Sequence, residues 1–131
     1  MKHVLVFCSA NELANKYTKP AREFAGLLVK NGFHLVWGGS DRGLMKVIAS
    51  EVQKNGGKII GISMEILRHA AHKKADEMII ARDLRERKET MLKRCDAIVM
   101  LVGGLGTLDE ITEMLELKKH RVHNKPIVIL N

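Results

Sequence analysis

The sequence predicts an α/β protein, a doubly wound and mostly parallel sheet with helices on both faces. Three observations predict it. Short β-branched or aliphatic runs recur along the 131 residues, segments with apolar residues at helical spacing separate them, and 46% of the chain is hydrophobic, enough for one domain with one core. Strand and helix alternating in this way give right-handed crossovers between parallel strands.

The elements follow in order. His3 to Cys8 is the first strand, and Phe24, Leu27 and Leu28 then share a helix face before Asn31-Gly32. Phe33 to Trp37 is the second strand, followed by Leu44, Val47, Ile48 and Val52 at helical spacing before Gly56-Gly57. Glycine ends each of these helices. After Lys58 to Ile62, Ser63 caps a short helix carrying Ile66, Leu67, Ala70 and Ala71. Glu77 to Ala81 is the next strand, and Asp83 caps a helix with Leu84, Met91, Leu92 and Cys95 on one stripe. Ala97 to Leu101 leads to a last helix from about Thr107 to His120, with Leu108, Ile111, Met114, Leu115 and Leu117. The final run, Pro126 to Leu130, also reads as a core strand. Runs of this kind mark strands buried on both faces, so the last one needs a cover, from a partner subunit or from the remainder of a longer protein. No linker and no internal repeat interrupts the series.

Charge narrows the partners. Lys and Arg number 22 against 15 Asp and Glu, giving a net charge of +7 and an anionic partner: phosphate, nucleotide or nucleic acid. Aromatics are only 4% and do not interleave with the cations, which argues against a stacking platform for single strands. Lys118, Lys119, His120 and Arg121 need no partner, since cations near a helix C-terminus complement its dipole. No apolar run approaches the roughly 18 residues of a membrane helix, and Val4 to Cys8 is too short for a secretory core, so a cytoplasmic protein is expected. Cys8 and Cys95 form no C-x-x-C, and the pairs His69/His72 and His120/His123 lack a third ligand nearby. Reduced buried thiols and no metal are expected.

In open α/β sheets, ligands bind beyond the carboxyl ends of the strands. Three loops there carry chemistry. Gly103, Gly104 and Gly106 lie between an apolar strand and a helix start, where backbone N–H groups and the helix dipole suit a phosphate better than they suit the alternative, a tight turn with ordinary glycines. Neither a Walker A loop nor G-x-G-x-x-G is present, since Asp109 stands in place of the third glycine. In Gly38-Gly39-Ser40-Asp41-Arg42-Gly43, Ser40 either donates to phosphate or caps the following helix. Arg85, Arg87 and Lys88 crowd the first turns of another helix, against its dipole, and Lys88 falls on the inward stripe. Thr107-x-x-Glu110 has the form of a capping box, which competes with a chemical role for Glu110.

Taken together, Val102-Gly103-Gly104-Leu105-Gly106-Thr107-Leu108-Asp109-Glu110, Arg87-Lys88-x-x-Met91 and Gly38 to Met45 resemble the LONELY GUY (LOG) family of nucleoside 5'-monophosphate phosphoribohydrolases, many of whose members were labelled lysine decarboxylases. The resemblance covers residues 1–131 as a single Rossmann-like domain, stopping before the family's usual C-terminal strand and helices. Val102 replaces the family's proline, Cys8-Ser9-Ala10-Asn11 its C-G-S-S loop, and Leu84-Arg85 its M-H. The resemblance implies cleavage of the N-glycosidic bond of a nucleotide such as AMP or a cytokinin riboside monophosphate, without a cofactor, by a homodimer. Gly103, Gly104, Gly106 and Thr107 would cradle the phosphate, with Ser40 assisting and Lys88 in support. Arg87 and Glu110 match the family's catalytic pair, Arg87 lowering the pKa of Glu110. The decarboxylase label does not suit a chain this small, because such enzymes need a Schiff-base lysine on a larger scaffold. The alternative from another class is a non-catalytic carrier of a nucleotide or of a phosphorylated cofactor of the molybdopterin type; DNA handling is a weaker rival.

Overall fold

A computed structural model describes residues 2–130. The elements are β1 (His3–Phe7), α1 (Asn15–Lys30), β2 (His34–Trp37), α2 (Gly43–Lys54), β3 (Ile59–Met64), a 3-10 segment (Glu65–Ala70), β4 (Glu77–Ala81), α3 (Leu84–Lys93), β5 (Ala97–Met100), α4 (Leu105–Lys119) and β6 (Ile127–Ile129). The strands form one sheet in the order β4-β3-β2-β1-β5-β6, and every pairing is parallel. This is the α/β architecture expected of alternating strands and helices.

Side chains alternate across the sheet and build an apolar layer on each face. Val4, Val6 and Cys8 pack with Ala25, Leu28, Ile48 and Val52 of α1 and α2. Leu5 and Phe7 point the other way, to Met91 of α3 and Ile111 and Met114 of α4. The single core expected from length is therefore two clusters divided by the sheet. Gly32 and Gly56, with φ of 81° and 86°, follow Asn31 and Asn55 and end α1 and α2 as predicted.

Two expectations need correction. Ser63 does not cap a helix: β3 runs on to Met64 because β4 pairs with it as far as Met64–Ala81, and the segment that follows is a 3-10 turn with no side-chain cap. The last helix starts at Leu105, two residues before Thr107, because Gly104 already provides the extended N-cap. The final strand lies at an edge of the sheet among the described residues, with Val128 47% and Ile129 55% exposed, so the cover its apolar run calls for does not come from residues 2–130.

Strand order reverses between β1 and β5. Beyond their carboxyl ends the connecting loops part, and this crevice is where open α/β sheets bind ligands.

Candidate active site

The crevice opens into a cleft of about 720 Å³, within the usual size range of ligand sites. Its floor is stitched from two loops, the Ser9 N–H donating to the Val102 carbonyl at 2.9 Å. The loop after β1 also occupies the start of α2: the Leu44 N–H donates to the Asn11 carbonyl and the Met45 N–H to the Ser9 carbonyl. Gly43 makes this docking possible, since any Cβ there would overlap the backbone of Ala10 and Asn11. Those amides of α2 are thus taken by the protein itself. Ser40 lines the cleft, and its hydroxyl accepts from the Arg42 N–H at 3.2 Å. It does not cap α2, whose N-cap is Arg42.

The start of α4 differs. Gly104 is an N-cap without a side chain, and the first-turn N–H groups of a helix have no intrahelical acceptor. Gly104, Gly106 and Thr107 line the cleft, so the positive end of the helix dipole faces it, an arrangement suited to an anion. Gly103 acts from behind: the Thr107 side chain fills the space that a side chain at 103 would need. Because the helix begins at Leu105, Thr107 and Glu110 both lie inside it and the capping box does not form.

Arg87 and Glu110 meet at the centre. Arg87 is 7% exposed; its Nε donates to the Ile62 carbonyl and its Nη2 to the Gly38 carbonyl, each at 2.8 Å. The remaining Nη1 stands 4.0 Å from Oε2 of Glu110, itself 5% exposed. Burial pushes the Glu110 carboxyl up to about 7, against the opposing pull of Arg87. Arg87 does lower this pKa, as expected, but at 4.0 Å its attraction does not recover the hydration that burial removes, so the net direction is upward. Cys8 lies nearby, its thiol kept protonated by burial and by the Glu110 charge. Glu110 is therefore poised to take up or release a proton near neutral pH.

Lys88 does not line the cleft. Successive residues on a helix diverge by about 100°, so while Arg87 turns into the cleft, Lys88 turns toward α4. Its Nζ lies 3.1 Å from Asp109 Oδ2 and 3.5 Å from Glu113 Oε2. The structure thus brings Ser40, Arg87, Gly104, Gly106, Thr107 and Glu110 together and leaves Gly103 and Lys88 behind the wall. Arg42, Met45, Leu67, His69 and Leu84 also line the cleft and were not picked out from sequence. No local pattern could have found Leu67 and His69, which arrive when the 3-10 segment folds across the second glycine loop, the Asp41 N–H donating to the Ala70 carbonyl at 2.8 Å. Among the described residues no group of three potential ligands could hold a metal.

Fold and site define the class: an α/β protein with an uncapped helix start and a buried arginine–glutamate pair facing one cleft at a topological switch. The chain belongs to the LONELY GUY family. Residues 45–131 match the family model described as "Possible lysine decarboxylase". The chain is 34% identical, over 99% of its length and 68% of the relative's, to a cytokinin riboside 5'-monophosphate phosphoribohydrolase of Rhodococcoides fascians. It is 35% identical, over 98% of its length and 70% of the relative's, to the Mycobacterium tuberculosis protein of the same name. A solved molybdenum cofactor binding protein from Rippkaea orientalis shares the fold, with a TM-score of 0.79 and 24% identity over 99% of this chain and 76% of that one. The decarboxylase wording of the model does not suit the site: Schiff-base chemistry needs a lysine amine, and no lysine lines the cleft among the described residues.

Proposed function

We propose that the protein hydrolyses the N-glycosidic bond of a nucleoside 5'-monophosphate, of the AMP or cytokinin riboside monophosphate type, to free base and ribose 5-phosphate. The observation that carries this reading is the Arg87–Glu110 pair, buried in the same cleft as the uncapped start of α4. The names of the two bacterial relatives support it.

The chemistry follows from the placement. The N–H groups and Thr107 hydroxyl at the start of α4 hold the 5'-phosphate, with Ser40 on the facing loop. Departure of the base leaves positive charge on the ribose, and a carboxylate at that point stabilises the oxocarbenium-like state. Water then adds its hydroxyl to C1′, and Glu110 takes its proton, which is returned to the departing base nitrogen. Arg87 binds substrate oxygens through Nη1, the nitrogen that its two carbonyl acceptors leave free. The same reading has the protein act in the cytoplasm, in keeping with the two unpaired thiols, and contribute to cytokinin formation. It also has the protein act as a homodimer, in which a second copy covers exposed Leu108 and Leu115 of α4 and Val128 and Ile129 of β6.

The test is release of base and ribose 5-phosphate from a panel of nucleoside 5'-monophosphates and the matching nucleosides, by wild type and Glu110→Gln. Turnover of monophosphates alone, lost in the folded variant, is expected. Thermal stabilisation of both proteins by a nucleotide without any base release would replace the hydrolase with a carrier.

A further inference from the structure

We propose that Lys88 is a positioning residue: its ammonium, clamped by Asp109 and Glu113, ties α3 to α4 and sets the gap between Arg87 and Glu110. The inference deepens the hydrolase reading and rests on it for its kinetic consequence only.

Arg87 and Glu110 do not fasten each other, for 4.0 Å is beyond hydrogen-bond reach. Arg87 is fixed by the carbonyls of Gly38, just after β2, and Ile62, within β3, whereas Glu110 rides on α4, which follows β5 on the other side of the crevice. Something must hold the second helix at a set distance from the first. Immediately beside the pair, Lys88 of α3 reaches Asp109 at 3.1 Å and Glu113 at 3.5 Å, and its side chain is only 11% exposed. A shielded cation between two carboxylates one turn apart resists both sliding and separation of the helices. Apart from Arg87–Glu110, these are the ion pairs that join α3 to α4 among the described residues.

The clamp also shapes the field at Glu110. The charged and titratable groups around that carboxyl are Arg87 and Lys88 from α3, Asp109 and Glu113 from α4, the Cys8 thiol at the end of β1, and Arg42 and His69 across the cleft. Removing the ammonium takes away a charge that favours ionisation of Glu110 and leaves Asp109, which disfavours it, uncompensated.

The experiment compares wild type, Lys88→Met, which keeps the apolar stem, and Lys88→Arg, which keeps the charge. The Glu110 carboxyl is titrated by NMR in glutamate-labelled full-length chain, its signal assigned with Glu110→Gln, and kcat and KM are measured on a nucleoside 5'-monophosphate. Lys88→Met is expected to raise the Glu110 midpoint by about half a unit or more and to lower kcat about tenfold with KM within about twofold; Lys88→Arg restores most of both. A KM that rises with an unmoved midpoint would make Lys88 a substrate contact and overturn the proposal. An unmoved midpoint in a folded Lys88→Met would overturn it too, and because the titration needs no turnover, it does so even if wild type hydrolyses no nucleotide.

Discussion

A Cβ on Gly38 would stand 2.5 Å from Nη2 of Arg87, the nitrogen that donates to the Gly38 carbonyl. The glycine is thus a seat for the guanidinium. Arg87 cannot swing aside to admit a methyl group, because its Nε is held at 2.8 Å by the Ile62 carbonyl.

Gly38→Ala therefore forces the guanidinium off its Gly38 carbonyl and out of alignment, while leaving every other side chain of the proposed site unchanged. Overpacking and the disturbed hydrogen bonds are expected to destabilise the fold by about 1–3 kcal/mol, and loss of the aligned cation to lower kcat/KM by about 100-fold. Chemical denaturation and turnover of a 5'-monophosphate check the two effects separately.

Glu110 makes stability depend on pH. Its folded-state pKa of about 7 lies above the ordinary glutamate value near 4.3, so between the two the folded chain holds a proton that the unfolded chain has lost. Stability contributed by this residue is present in full at lower pH and falls as pH rises toward 7. Glu110→Gln is expected to leave stability unchanged at pH 4 and to raise it at pH 8 by up to about 3 kcal/mol, read from urea denaturation at both pH values. The same titration gives wild type a kcat/KM that climbs through about pH 7, where the carboxylate becomes available as base.

Gly106 separates stability from binding. A Cβ there meets nothing within 4 Å, and the residue lies in the first turn of α4. Gly106→Ala is expected to stabilise the chain by about 0.5 kcal/mol through helix propensity. Gly106 lines the cleft, so under the proposed function the added methyl group crowds the bound phosphate and nucleotide affinity is expected to fall about tenfold. Calorimetric melting and isothermal titration report the opposed changes.

The strands were legible because buried parallel strands write continuous apolar runs, and the Asp83 cap was legible because its signal is local. Its Oδ1 accepts from the Glu86 N–H at 2.9 Å. Legibility ends where a residue's purpose depends on distant chain. Gly38 and Gly43 read in sequence only as members of a glycine-rich loop, yet one admits Arg87 and the other admits Ala10 and Asn11. Thr107 and Glu110 have capping-box spacing, but the turn at Gly104 starts the helix earlier and turns both toward the cleft. Lys88 does face inward, as its stripe implied, but toward the carboxylates of α4. Helix phase alone could not tell that destination from the cleft.

An arginine whose acceptors are both main-chain oxygens keeps them through any substitution that leaves the backbone and the seat at 38 in place. Every residue at 62 offers the same carbonyl, and so does every residue small enough to fit at 38. Side chains around the rim, among them Met45, Leu67 and Leu84, are correspondingly free to vary without moving the charge. Selection can then reshape what the cleft accepts through single steps that each leave a working protein, so diversification of the ligand need not pass through a broken intermediate.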